Sequence, residues 1–543
     1  MKAKNIIGFI IVLAGVVLNG CVRELDIAQH GSLGTQQEYY QTDSEVESGI
    51  AAVYAEWRKF WANQNLMLCE LSDESSSGGN SVADALQWRQ LNEFDFDSSN
   101  SAIQTVYTDI YKIVYYCNLV IDSAAGDTDY QKRCIAEAKF FRAYAYYYLA
   151  VLWGETVPLV DHLLTTEEYH VGRSEVGQVW SLVENDLNEA ISVLPSKNGL
   201  NDSAANYRVT KEAAKAYQAR AYMWRGKMSE AGVLLKEIIE SGLYDLWDGE
   251  FEDLLHVPAN GCCEKILEAQ CQDYTADTQD DLGTSNSIYQ YFGWANSRWF
   301  KCADPSDPAK AAEYGNYGNG FNCFAPRKGI YDAFVEMEGV DGYRLKSSIR
   351  TLDQLEEIGI ALNPENEDMW RHDIYFNWKH RLTFDDLIAP PSGPMPPRNQ
   401  KINYCYMRYA EVLLMAAECF VSSDPTFAAE CVNKVRTRAK LSPLASVTLD
   451  DIKKEKRLEL YNEGVRYIDL LRWGDAYEVL KDQGKEVYYL SMKTRKAEVS
   501  ETESNASRGF KQGKHEVLPI PLKELEVNGV AVGGNMEQTD CWK

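Results

Sequence analysis

Apolar residues recur along much of this chain at the three-to-four spacing of an α-helix, so the predicted elements are almost all helical. Thr42-Asp43-Ser44-Glu45 has the form of a capping box, with Thr42 bonding forward and Glu45 reaching back. Val46, Ile50, Val53, Trp57 and Phe60 then share one face. Residues 64–100 read as polar and loop-like, and a second helix follows through Ile103, Val106, Ile110, Ile113, Cys117 and Val120. Between Ala136 and Gly154 two adjacent apolar stripes predict a helix buried on more than one side: Phe140, Tyr144, Tyr147 and Val151 lie beside Phe141, Tyr148 and Leu152. Ala136, Ala138 and Ala143 let a neighbouring helix approach closely. Val179 to Leu194 is a further amphipathic helix, stopped by Pro195.

Helix, short turn, helix is the pattern from Thr210 to Tyr244, and again from Met407 to Ala439 with a turn at Ser422-Ser423-Asp424-Pro425. Small and large residues alternating around a short turn are how tetratricopeptide hairpins stack. The hairpins are unevenly spaced, so the expected fold is mostly α: tetratricopeptide-like hairpins forming a scaffold, with an inserted irregular lobe. The expected divisions are a leader over 1–20, a first helical part over 21–244, the inserted lobe over 245–400, and a second helical part over 401–543. Turn residues crowd the insert at 314–321, and Pro390-Pro391-Ser392-Gly393-Pro394-Met395-Pro396-Pro397 cannot be regular structure. Aromatics such as Tyr289, Trp294, Trp299, Tyr314, Tyr317 and Phe321 are interleaved there, and on loops such rings can be exposed.

The N-terminal pattern is different. Lys2 and Lys4 precede an uncharged run from Ile6 to Leu18, the length of a signal-peptide core and too short to span a bilayer. Leu18-Asn19-Gly20-Cys21 resembles a bacterial lipobox, with cleavage before a lipidated Cys21. Acyl chains contribute about 0.8 kcal/mol per buried CH₂, so two or three of them hold a body that needs no membrane-binding element of its own.

The chain has 81 acidic and 55 basic residues among 543, a formal charge of −26, without a basic block. Nucleic acid is therefore excluded as a partner, because phosphate neutralisation drives that affinity. Twelve cysteines besides Cys21 permit disulfides in an exported protein; no CxxC occurs, several sit inside apolar helical patterns, and Cys302–Cys323 is a candidate bridge. The seven His make no HExxH, and GxSxG, Walker and GxGxxG motifs are absent. Asp95, Asp97 and Ser99 start like a calcium loop, but Asn100 and Val106 stand where Gly and Glu are needed. Asp280-Asp281 and Asp385-Asp386 are acidic doublets of a kind any acidic protein contains. No catalytic residue, metal or cofactor is expected.

Taken in order, the lipobox, AEAKFFRAYAYYYLAVLWGETVPLV (136–160), YMRYAEVLLMAAE (406–418), VNKVRTRA (432–439), EKRLELYNEGVRYIDLLRWGD (455–475) and EVLPIPLKELEVN (516–528) resemble the SusD/RagB family of Bacteroidetes surface lipoproteins. Lys456 stands where the family commonly has Arg, and Gly533-Gly534-Asn535 where a Gln-Asn-Pro-Gly turn is usual. The resemblance implies a helical scaffold under an irregular lobe, on the outward face of the outer membrane. It implies a non-catalytic protein that captures oligosaccharides, or in some branches peptides, for a TonB-dependent barrel of the SusC type. Glu24 and Asp26 are loosely similar to the export signal of such lipoproteins. Ligand aromatics are expected from the loop after the first helix and from the insert: Trp88 and Asn92 in the first, Trp294, Asn296, Arg298 and Trp299 in the second. Aromatic faces pack on the C–H patches of sugar rings while amides and Arg satisfy hydroxyls. Trp153, Trp180 and Trp473 are assigned to packing. A surface glycan hydrolase and a helical scaffold that binds only proteins are the alternatives from other classes.

Overall fold

The computed structural model describes residues 39–79, 81, 83–199, 208–271, 286, 288–317, 320–386 and 400–543. The leader, Cys21, Glu24, Asp26, the Asp280-Asp281 doublet and the proline run at 390–397 lie outside them. Helix α1 (Asp43–Glu70) starts at the expected capping box, both halves of which are formed. It runs ten residues beyond Phe60, into the stretch expected to be loop. Leu66, Met67, Leu68 and Cys69 are buried there, and so is Gln64, which accepts a hydrogen bond from Tyr144 Oη at 2.8 Å. Polar letters that are themselves buried concealed this last part of the helix.

Strand β1 (Ser75–Ser77) and a short helix α2 (Leu86–Asn92) follow, then α3 (Ser101–Ser123), α4 (Asp129–Trp153), α5 (Gln178–Val193), α6 (Lys211–Trp224) and α7 (Met228–Glu240). Helix α4 is the buried one its double stripe predicts: Phe140, Phe141, Tyr144, Tyr147 and Leu152 are all in the core. Consecutive helices pack on one another from α3 to α7. Beyond the insert, α8 (Tyr409–Phe420) and α9 (Pro425–Arg438) form another hairpin, turned at Asp424, whose side chain caps α9. Helix α8 packs on α7, so the helical stack continues across about 170 intervening residues. Gly232 makes the close approach possible, since a Cβ there would lie 3.1 Å from the Phe420 ring and 3.3 Å from Cys419.

Charge pairs seal the stack from inside. Arg142 of α4 holds Asp186 of α5 at 2.7 and 2.9 Å, both side chains buried. Arg408 is wholly buried among Glu264, Glu459 and Glu463, and Arg344 among Glu338, Glu455 and Glu459. The charges of the 455–475 block are thus paired within the scaffold. Trp153 and Trp180 are in the core, whereas Trp473 is only half-buried, with Nε1 on Glu418.

Small antiparallel ladders organise the insert. One of them ties the insert to the second helical part, Lys265–Ala269 pairing with Tyr404–Arg408. Inside it, Phe300–Cys302 pairs with Ile360–Leu362, and Ile349–Thr351 pairs with Tyr375–Asn377. These ladders enclose a second apolar core of Trp294, Trp299, Phe300, Leu355, Phe376 and Trp378. The candidate Cys302–Cys323 bridge is not formed: Cys302 is half-exposed on its strand, while Cys323 is buried with Sγ turned to the Phe321 carbonyl. All twelve described cysteines are free thiols.

Candidate functional site

A groove of about 310 Å³ opens on the inserted lobe, lined by Trp294, Asn296, Ser297, Tyr314, Tyr317 and Phe384, with Ile360 beneath. A tight backbone clamp fixes one wall. Gly320 N–H donates to the Ala295 carbonyl at 2.7 Å, and Asn322 N–H donates to the Gly293 carbonyl at 2.8 Å. Only glycine fits at 320, because a Cβ would lie 1.8 Å from the Gly293 oxygen. The opposite wall is set by the Tyr317–Thr383 bridge and by Phe384 N–H donating to the Asn316 carbonyl at 2.8 Å. That bond presents the Phe384 ring, 45% exposed, at the rim.

Under the groove the aromatic rings form a continuous layer. Trp294 lies nearly parallel to Trp378, with centroids 6.1 Å apart and 17° between planes, and Tyr317 stands 5.4 Å from the first and 5.5 Å from the second. Tyr314 Oη donates to the Phe300 carbonyl and Tyr317 Oη to Glu313, so the phenols are oriented while their oxygens retain acceptor capacity. Burial raises both phenol pKa values, and Glu313 adds to the rise at Tyr317, so both remain neutral hydroxyls at neutral pH. A surface of ring faces with a few neutral hydroxyls suits a ligand that is both apolar in patches and rich in hydroxyls.

Of the residues expected to bind ligand, the groove gathers two. Trp294 reaches it by an edge, being 1% exposed, and Asn296 lies in its wall. Both polar groups of Asn296 serve the loop: Nδ2 donates to the Gly320 carbonyl and Oδ1 accepts from Arg298 N–H. Arg298 points outward and pairs with Glu367 at 2.7 Å. The structure places the other three away from this groove, buried in packing. Trp299 is fully buried in the second core, its backbone carbonyl accepting from Asn363, and no ring face is open to a ligand. Trp88 is 7% exposed and packs into the main core from α2. Asn92 is buried as a clamp: Nδ2 donates to the Glu70 and Ser75 carbonyls, and Oδ1 accepts from Arg327 Nη2 at 2.6 Å. Sequence reasoning passed over Phe384 and Ile360. The one available signal for Phe384 was a ring flanked by Thr383 and Asp385 on an aperiodic stretch.

Two family models match the chain: one described as "Starch-binding associating with outer membrane" over residues 33–223, and the SusD family over residues 388–542. SusD-like protein P25 of Formosa agariphila is 26% identical over 569 aligned residues, covering 98% of this chain and 98% of that protein. SusD-like protein P38 of the same organism is 24% identical over 505, covering 88% and 93%. Among solved structures, a laminarin-binding SusD-like protein superposes with a TM-score of 0.74 at 26% identity, covering 92% of this chain and all of that one. Surface glycan-binding protein A of Bacteroides thetaiotaomicron, in complex with laminarihexaose, gives 0.70 at 22% identity, covering 91% and 99%.

Proposed function

This chain belongs to the SusD/RagB family, and on that premise we propose that it is a non-catalytic surface receptor that captures oligosaccharides in the groove of its inserted lobe. The observation that carries the reading is the ring layer itself: Phe384 and Tyr314 offer faces at a groove whose floor is Trp294 and Tyr317. Sugar C–H patches pack on such faces, and the hydroxyls exchange hydrogen bonds with Ser297 and the phenol oxygens. Relatives named as laminarin-binding and as glycan-binding support the same reading.

In the proposed sequence of events, acyl chains on Cys21 tether the body to the outer membrane, facing the exterior. Cargo caught in the groove passes to a TonB-dependent SusC-like barrel. Release matters as much as capture, so dissociation constants between about 1 μM and 1 mM (about −8 to −4 kcal/mol) suit the role. A screen of the full-length protein against oligosaccharides and peptides tests the reading. Saturable glycan binding without cleavage supports it; binding confined to peptides, or turnover of the glycan, overturns it.

A further inference from the structure

Three short strands close one side of the second core: Met369–Trp370, Tyr488–Ser491 and Lys496–Val499, paired in that order. Alternation along each strand sends its side chains two ways. Met369 and Leu490, opposite each other in the ladder, point into the core and are fully buried. Trp370, Tyr489 and Glu498 therefore form a row on the outer face, with Tyr489 paired to Trp370 on one side and to Glu498 on the other. A bridge from Gly79 to Trp370 extends the row by one position. Gly79 has a φ of +148°, and a Cβ there would lie 3.0 Å from that of Asp84, so the Asp84 side chain stands where residue 79 has none. Adjacent strands lie about 4.8 Å apart, which makes the row from Gly79 to Glu498 about 14 Å long.

Both rings are partly exposed, with centroids 6.0 Å apart and 39° between planes. Neither belongs to an apolar core or packs against one among the described residues. The Trp370 indole Nε1 makes no hydrogen bond and, unlike those of Trp57 and Trp299, is open to solvent. Acids stand at both ends of the row. Glu498 accepts from Tyr489 Oη at 2.8 Å and from Thr494 Oγ1 at 2.5 Å. Asp84 accepts from Ser81 N–H at 3.1 Å and from Ser81 Oγ at 3.0 Å. Each carboxylate keeps lone pairs for further donors. Lys496, two positions before Glu498 on the same face, is exposed and adds a donor.

Two rings set among carboxylates and an amine do not make the charge-depleted centre that a protein partner requires. They do match a sugar chain, whose C–H patches pack on ring faces while its hydroxyls donate to the acids and accept from the indole and the ammonium. We propose that the face carrying Asp84, Trp370, Tyr489 and Glu498 is a second glycan platform, separate from the groove, and that it takes neutral polysaccharide chains. An acid at each end repels an anionic chain. The face is open, so it buries less of each sugar than the groove does and holds a short oligosaccharide only weakly. Its gain comes with a polymer that engages groove and platform together, because the second contact is then made at high effective concentration.

A glycan array of neutral and uronate-bearing polysaccharides and their short oligosaccharides, probed with the full-length protein, identifies the polymer bound best. Affinity gels then compare variants on that polymer. Trp370→Ala combined with Tyr489→Ala weakens polymer binding at least about fivefold, leaves the short oligosaccharide within about twofold, and keeps the melting temperature close to that of the unaltered protein. Trp370→Phe retains part of the polymer binding. In a variant with the groove disabled by Tyr314→Ala and Phe384→Ala, saturation-transfer NMR shows a weak oligosaccharide signal that a further Trp370→Ala change abolishes. Unchanged polymer binding in the platform variant overturns the platform and leaves the receptor reading standing, as does a preference for uronate-bearing polymers. A parallel loss of short-oligosaccharide binding overturns the separation from the groove. Should the double change prevent folding, the NMR signal of the groove variant decides, and its absence overturns the platform. If no glycan on the array binds, both readings fall.

Discussion

Arg220 reaches Glu411 across 191 residues of sequence, with Nη2 at 2.6 and 2.7 Å from the two carboxylate oxygens and Nε at 3.1 Å from one of them. Both side chains are buried, and the pair fastens α6, before the insert, to α8, after it. Removing one partner strands the other charge away from water. Glu411→Gln is therefore expected to cost about 3–5 kcal/mol in urea unfolding, while Arg220→Met combined with Glu411→Leu costs far less. A loss below about 1 kcal/mol for the single change would mean the pair does not hold the two parts together.

A second expectation concerns pH. Burial, with Asp73 beside it, pushes Glu74 up to about 8, so the folded protein keeps a proton that the unfolded chain releases near 4.5. That contribution is full below pH 4.5 and is lost as pH rises through about 8. Burial works against Asp73, but Arg457 and Arg466 hold it down to about 2, outside this window. His372 and His515, both lowered to about 3 by burial, act in the opposite sense below their ordinary value but equally in any variant of Glu74. Urea unfolding at pH 5 and pH 8 should show the wild type losing about 2 kcal/mol or more relative to Glu74→Gln. Parallel losses in the two proteins would contradict the buried proton.

Core and groove aromatics should separate cleanly on mutation. Trp299→Ala removes a fully buried ring and is expected to lower stability by about 3–5 kcal/mol. Phe384→Ala removes a rim ring and should leave stability within about 0.5 kcal/mol while weakening glycan binding about three- to tenfold. Thermal melts and glycan titrations of both variants check this, and a stable Trp299→Ala protein with selectively lost binding would reverse the assignment.

Gly320→Ala tests the clamp under the groove. Its Cβ would meet the Gly293 carbonyl oxygen at 1.8 Å, so the loop carrying Trp294 and Asn296 must move. The expected result is lost glycan binding together with a drop in melting temperature. Gly177→Ala provides the comparison, because its Cβ meets nothing within 4 Å although its φ of +85° still imposes strain. Binding that survives in Gly320→Ala would remove this loop from the site.

The helical stack was legible because its apolar positions recur with the helix period, and the double stripe of α4 even told that it is buried on more than one side. The end of α1 was not, since Gln64 and Asn65 are polar residues satisfied inside the protein. Period also fails inside the insert, where strands are only two to five residues long and their pairing is set by distant partners. Trp299 and Phe384 illustrate the consequence. Both lie on aperiodic segments, yet the second apolar core closes over the first while a single backbone bond turns the second outward. Composition names the rings that could bind; tertiary contacts decide which of them keep a free face.

The most direct measurement of the central claim is a calorimetric titration of the full-length protein and of a Tyr314→Ala, Phe384→Ala double variant with the oligosaccharide that gives the strongest array signal. The account predicts saturable micromolar-to-millimolar binding to the former, intact oligosaccharide recovered afterwards, and at least about tenfold weaker binding to the latter, which still folds cooperatively with a modestly lower melting temperature because Tyr314 gives up its bond to the Phe300 carbonyl. Equal affinity in the two proteins, or a shortened oligosaccharide in the cell, would contradict it.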